Sequence, residues 1–280
     1  MNLSPDKILK DCPELSTLPS VYHQLNEAIN SPNCTTGIIS RIISQDAVLT
    51  MKVLRMVNSA FYGFPQEIED IPQAILIIGL QQLNDLVLAN TIISLFEKQR
   101  TTLFSMEDFW KFSIASGLSS RILGELSSKK FSERLFVGGL LHNVGRLVMA
   151  ISEPDALIKA RALSVEEGIS MKDAEMAVFG FDNEAMNFHL MEAWSIPSSI
   201  IDIASHYLHP ENSESNKNEA TIVQISNSIV QSIGIGNTGD YYINPINEAD
   251  WQSIDLNVNS VEEATHRLNE QLKDVLKTLI

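Results

Sequence analysis

The chain has 280 residues, 44% of them hydrophobic and 20% charged, which excludes wholesale disorder and allows a sizeable core. Thirty-five acidic residues against twenty lysines and arginines give a formal charge of -15, a field that repels phosphate backbones and anionic headgroups, so nucleic acid and membrane are set aside as partners. Two cysteines, Cys12 and Cys34, stand outside any Cys-x-x-Cys spacing and point to a reducing cytoplasm.

Helical signals dominate in chain order. Met1-Asn2-Leu3-Ser4-Pro5-Asp6 lacks the basic-then-apolar pattern of a secretory leader. Ser4-Pro5 reads as an N-cap followed by proline at the first helical position. Asp46 opens a run with Leu49, Val53, Met56 and Val57 on one face. Leu83, Leu86, Val87, Leu88, Ile92, Ile93, Leu95 and Phe96 surround most of another helix, which predicts burial. The polar stretch Glu97 to Ser105 predicts a break between two helical lobes, residues 1–100 and 101–280. Ser105 with Asp108 opens the next helix, carrying Phe109, Phe112 and Leu118. Lys129-Lys130, with Arg134 nearby, is the only short basic cluster and reads as a solvated corner.

Gly138 to Leu147 reads as an apolar helix that carries His142 beside Asn143. Pro210 to Glu219 and Gly234 to Asp250 read as loops. The uncharged run Ala220 to Gly239 holds Thr221, Gln224, Asn227 and Gln231 and is too polar to cross a bilayer. Ser260 and Glu263 form a capping-box pattern ahead of Val261, Ala264, Leu268, Leu272, Val275 and Leu279, the apolar stripe of an amphipathic helix. With no period-two strand and no repeat at solenoid spacing, the expected fold class is all-α, a two-lobed helical bundle whose C-terminal lobe ends in that amphipathic helix.

Several segments carry a resemblance. They are Ile43-Ser44-Gln45-Asp46-Ala47-Val48-Leu49, Val57-Asn58-Ser59-Ala60-Phe61-Tyr62-Gly63, and Ile71-Pro72-Gln73-Ala74-Ile75-Leu76-Ile77-Ile78-Gly79-Leu80. Phe109-Trp110, Gly139-Leu140-Leu141-His142, Glu175, Trp194-Ser195-Ile196-Pro197 and His206 continue the pattern. Together, from roughly Leu15 to Val230, they resemble the HD-related output domain (HDOD) family. The resemblance implies an all-helical bacterial signalling protein, related to HD and HD-GYP metal-dependent phosphohydrolases.

An active HD-type site, on that resemblance, holds metal with several histidines and two aspartates. The matching positions here are Phe112, the pair His142-Asn143, Asn183 after Asp182, His206 followed by His209, and Asn227. An amide offers a cation only a neutral carbonyl oxygen beside an NH2 group, and a phenyl ring offers no ligand at all. These positions therefore read as a vestigial pocket with no catalytic residue. No cofactor is expected beyond, at most, one weakly held divalent ion on His142, His206, His209 and an acid such as Asp182 or Glu175. The spacing of His206 and His209 puts both on one face if the segment is helical.

Each residue also has a plainer role. His142 suits a buried histidine bonded to its neighbours. Arg146, one turn after it, either forks onto a phosphate, with His206 and His209 as further candidates for an anion or ligand, or pairs with a buried acid. Glu175 suits an anchor for the turn that follows it. Asn58 and Ser59 suit a helix end, Phe61 and Tyr62 packing, and Trp194 a core anchor. The expected function is non-catalytic signalling in the cytoplasm, through a partner protein or a nucleotide or other phosphate ligand. The alternative is a metal-dependent phosphohydrolase or phosphodiesterase.

Overall fold

The computed structural model describes residues 3–128 and 134–280, and within them the protein is helical with no strand. The leader reading at Met1-Asn2 and the basic pair Lys129-Lys130 lie outside the described residues. Helix α1 is Pro5–Asp11, opened by the Ser4 hydroxyl accepting from Lys7 N. Five helices follow: α2 (Ser20–Asn30), α3 (Thr36–Ser44), α4 (Ala47–Val57), α5 (Ile71–Ile78) and α6 (Leu80–Leu95). The Asp46 carboxylate caps α4 by accepting from Val48 N and Leu49 N, and Asp70 caps α5 through Gln73 N. Asn58 closes α4: its amide donates to Leu54 O and Ile68 O and accepts from Ile68 N.

Next come α7 (Met106–Leu126), capped by Ser105, then α8 (Leu135–Leu141), α9 (Val144–Ser152), α10 (Pro154–Glu167), α11 (Met171–Phe179), α12 (Asn183–Ala193) and α13 (Ser198–Ser205). A 3₁₀ turn at Pro210–Asn212 leads to α14 (Lys217–Ser232), α15 (Glu248–Ser253) and α16 (Val258–Leu279). The expected loops are therefore shorter than the composition suggests, because α14 claims Lys217 to Glu219 and α15 claims Glu248 to Asp250.

Two compact units result. The first comprises Met1–Thr17 and Lys98–Asn269, the second Leu18–Glu97 and Glu270–Ile280. A split into residues 1–100 and 101–280 departs from this at both ends of the chain, for a physical reason in each case. The N-terminal residues belong with the first unit: the Trp194 indole N–H donates to Leu15 O at 2.9 Å, and Asp6 of α1 meets His189 of α12 at 3.0 Å. The last residues belong with the second unit, where the Asp274 carboxylate accepts from Ala60 N at 2.8 Å.

In the second unit α2 to α6 pack on one another around Tyr22, Leu25, Ile39, Ile43, Val53, Met56 and Val57. In the first, α7 runs along α8 and α14, while α12 packs on α9 and α13. Leu135–Ser152 is apolar and long enough in composition to reach across a bilayer. It is 89% buried within the protein, and it is not one helix: α8 stops at Leu141 and α9 starts at Val144. The C-terminal helix also starts earlier than Ser260. Asn257 and Ser260 bond reciprocally, Ser260 N to Asn257 Oδ1 at 3.2 Å and Asn257 N to Ser260 Oγ at 3.3 Å, so Ser260 is the third residue of the turn and not its cap.

Candidate functional site

Two residues without helical continuation, His142 and Asn143, separate α8 from α9 in the middle of the first unit. Such a break strands carbonyls at the end of α8 and N–H groups at the start of α9. Helix α12 supplies the missing partners from two asparagines one turn apart. Asn187 accepts from Gly145 N at 2.7 Å and donates to Leu141 O, His142 O and Ala204 O at 3.0, 3.0 and 3.2 Å. Asn183 accepts from Arg146 N at 2.7 Å and donates to His142 O at 2.9 Å. The approach is close: a Cβ on Gly145 would lie 2.6 Å from Asn183 O and 2.7 Å from Asn187 N.

His142 is fully buried. Its Nδ1 lies 2.6 Å from Gly139 O, an atom that only accepts, so Nδ1 carries the proton. Burial pulls its pKa from 6.5 down to about 4, so the ring is neutral at pH 7 and Nε2 is an acceptor. That lone pair accepts a hydrogen bond from Asn143 Nδ2 at 2.7 Å, while Asn227 Oδ1 stands 2.9 Å from the same nitrogen and would accept a bond from it if the ring became charged. Asn143 Oδ1 accepts in turn from the Tyr207 hydroxyl and from Asn183 Nδ2, both at 3.3 Å. The Tyr207 and Phe112 rings close the cluster at centroid distances of 4.6 and 6.1 Å from the imidazole.

Arg146 is also fully buried. Its Nε donates to Glu175 Oε1 at 2.6 Å and its Nη1 to Asp240 Oδ2 at 3.3 Å. Burial pulls the guanidinium pKa down, but Glu175 and Asp240 outweigh it and hold the group charged, above its ordinary value. Glu175 Oε2 accepts from Asn183 N at 2.8 Å, so Glu175 does anchor the turn that follows it.

Of the positions singled out in the sequence, the structure brings together Phe112, His142, Asn143, Asn183 and Asn227. It does not bring His206 to them. Helix α13 ends at Ser205, so His206 and His209 do not share a helical face. His206 bonds through Nδ1 to Asp202 and lines a cleft of about 610 Å³ with Phe188, Glu192, Asp202 and Asn216, whereas His209 is half-buried beside Glu211. The neighbour Tyr207 faces His142 instead. Asp182 caps α12 through Ala185 N and pairs with Lys172 at 3.3 Å. The proposed four-residue ion site therefore has no common centre. Asn187, Tyr207 and Asp240 went unread in the sequence. Asn187 alone had a local signal, its position four residues after Asn183.

A metal centre of the HD type does not fit this donor set. The one imidazole has its Nδ1 bonded to a carbonyl and its Nε2 to an amide, and the three amides bring no negative charge. The two nearby carboxylates are directed at Arg146. Among the described residues no group of three His, Cys, Asp or Glu side chains is disposed to hold an ion.

The chain is similar to known proteins over most of its length. An uncharacterized protein of Treponema pallidum (strain Nichols) is 25% identical over 223 residues, covering 78% of this chain but only 42% of that protein, so the chain spans less than half of that relative. A solved HDOD domain protein of unknown function from Geobacter sulfurreducens superposes with a TM-score of 0.73 at 19% identity, covering 94% of this chain and 91% of the other. A Shewanella amazonensis SB2B structure, named "Putative phosphohydrolase", gives 0.74 at 22% identity and 98% coverage of both chains. These likenesses share the helical fold described above. The model of the HDOD domain matches residues 15–210, which include the α8–α9 break, its clamp on α12 and all of the polar cluster but Asn227 and Asp240, and this chain belongs to the HDOD family.

Proposed function

We propose that this HDOD protein is a non-catalytic bacterial regulatory module, acting in the cytoplasm through a partner protein, on the frame of a degenerate phosphohydrolase. One observation carries the reading. Four of the positions at which an HD enzyme would hold its ions are here Phe112, Asn143, Asn183 and Asn227, and Asn143, Asn183 and Tyr207 hydrogen-bond to His142 or to one another, so we read the cluster as a polar core joint and not as a ligand cage. Hydrolysis of a phosphate ester by such an enzyme needs a metal-bound hydroxide, and neutral amides do not supply the charge that keeps two cations and a hydroxide together. Partner binding has support at the opposite extreme of polarity. The second unit exposes Val48 and Met51 on α4 and Leu76 and Ile77 on α5, with Leu76 81% exposed, and these are the apolar side chains there that the proposed partner would cover.

The test is elemental analysis of purified protein together with a phosphodiesterase assay under added manganese. The reading expects no stoichiometric metal and no turnover above a buffer blank. Two ions per chain, with turnover that vanishes in His142→Ala, would establish the hydrolase instead.

A further inference from the structure

The guanidinium of Arg146 is satisfied unevenly. Nε is tied to Glu175 at 2.6 Å, Nη1 reaches Asp240 at 3.3 Å, and Nη2 has no acceptor although it is buried. The two acids differ in kind. Glu175 stands on α11 and is locked by a second bond to Asn183 N. Asp240 stands on the segment 233–247, which has no helix between α14 and α15, and its side chain keeps 12% of its exposure.

That segment belongs to the first unit, with Thr238 buried in it, and contacts to α7, α10 and α14 hold it there. Asn237 N donates to Asp108 O at 3.1 Å, and Gly236 sits so close to Asp108 O and Phe112 N that no side chain would fit. Gln231 Nε2 donates to Asp240 O at 3.0 Å. Arg161 lies over the Tyr241 ring at 4.9 Å and bonds its hydroxyl at 2.9 Å. Gly234, Gly236 and Gly239 have φ of +72°, +67° and +83°, a conformation glycine adopts freely, so the segment pivots at low cost once its contacts are broken.

We propose that Asp240 is a tethered stand-in for an oxyanion ligand, and that a small molecule bearing a phosphate or carboxylate group replaces it on Arg146 when the segment 233–247 swings away. Charge decides between replacement and addition. Arg146 and Glu175 form a neutral pair and Asp240 brings a single negative charge, so a second anion added on top would meet repulsion, whereas exchange for a carboxylate or a singly charged phosphate leaves the total unchanged. With Asp240 gone, Nη1 joins Nη2 as a pair of donors in one plane, the fork that a carboxylate or phosphate accepts from bidentately. In the intact chain the tethered carboxylate competes at the high effective concentration of an intramolecular group, so free anion binds weakly. The inference rests on the regulatory reading above and gives it a signal, in that anion binding is read out as release of the segment.

The experiment uses the full chain and two probes at constant ionic strength, inorganic phosphate and acetate. Titration calorimetry is run on wild type, Asp240→Ala and Arg161→Ala; the last loosens the segment without touching the buried pair, and covers the case in which Asp240→Ala does not fold. At least tenfold tighter binding is expected in Asp240→Ala and a few-fold gain in Arg161→Ala. Chymotrypsin cleavage at Tyr241 and Tyr242 of the wild type is expected to quicken with saturating anion. Preference for phosphate or for acetate assigns the ligand class. Equal binding by all three proteins, no binding by the variants, or cleavage that the anion slows or leaves unchanged overturns the proposal. Metal content and turnover are separate readouts, so failure here leaves the non-catalytic reading standing, and discovery of a metal enzyme sinks that reading whatever the titration gives.

Discussion

Gly145 is the smallest residue in the cluster and among the least replaceable. Gly145→Ala would drive a methyl group into backbone and side-chain atoms of Asn183 and Asn187, and the misfit is expected to cost at least about 1–3 kcal/mol in chemical denaturation. Arg146 and Glu175 form a pair of the opposite sort, in which each charge is tolerated because of the other. Glu175→Gln keeps an amide oxygen for Nε but removes the charge, leaving a buried guanidinium whose anionic partner is the more distant Asp240, and a loss of roughly 3–5 kcal/mol is expected. The double variant Arg146→Met, Glu175→Leu should lose less than that single substitution; a loss equal to the sum of the two singles would show that the pair is not coupled.

His142 gives a pH signature. Its folded pKa of about 4 lies below the unfolded 6.5, so the unfolded chain takes up the proton first and stability falls as pH drops from about 6.5 towards 4. Between pH 7.5 and 4.5 this one ring is expected to remove about 2–3 kcal/mol. The stability difference between wild type and His142→Gln should shrink by that amount over the interval; a constant difference would mean that the ring is not held neutral. The sequence made Phe112, His142, Asn143, Asn183 and Asn227 legible as a set because the family pattern marks their positions. It could not show Tyr207 in place of His206, because that choice depends on where α13 ends. Asp240 was hidden for another reason: a lone acid among glycines has no periodicity to betray it.

Helix caps were the most readable elements, since Ser4, Asp46 and Ser105 act on backbone groups within three residues of themselves. The C-terminal helix shows the limit. Its apolar stripe is evident, yet three polar residues near its start compete for the cap, and Asn257 takes it. Asn257→Ala should therefore cost about 1 kcal/mol, and Glu263→Ala much less, in thermal melts. The α8–α9 break was invisible because both halves are apolar and one periodicity runs through them. What breaks the helix is an outside partner, the Asn183 and Asn187 clamp. Asn187→Ala would strand three carbonyl contacts and Gly145 N, for a loss on the order of 3 kcal/mol. Hydrogen exchange at the Gly145 amide should quicken in that variant before global unfolding does; unaltered protection there would refute the clamp.

For the molecule as a whole, the formal charge of -15 is spread over a surface with few cations. Salt should therefore stabilise it, since screening relieves self-repulsion while the buried Arg146 pair is shielded from the ions. A melting temperature that falls between 0.05 and 0.5 M sodium chloride, concentrations set by the length scale of screening at about 14 and 4 Å, would contradict this.

The crossing of the chain ends between the two units has its own outcome during synthesis. Leu18–Glu97 leaves the ribosome early, but Asp274, Leu272, Val275 and Leu279 follow only after all of Lys98–Asn269 has been made. Until they arrive, Ala60 N lacks the Asp274 carboxylate as its hydrogen-bond acceptor, and the second unit waits unfinished while every residue of the first has been made. The nascent chain thus passes through a long interval in which α2 to α6 lack the segment that completes their unit and stand most in need of a chaperone's cover.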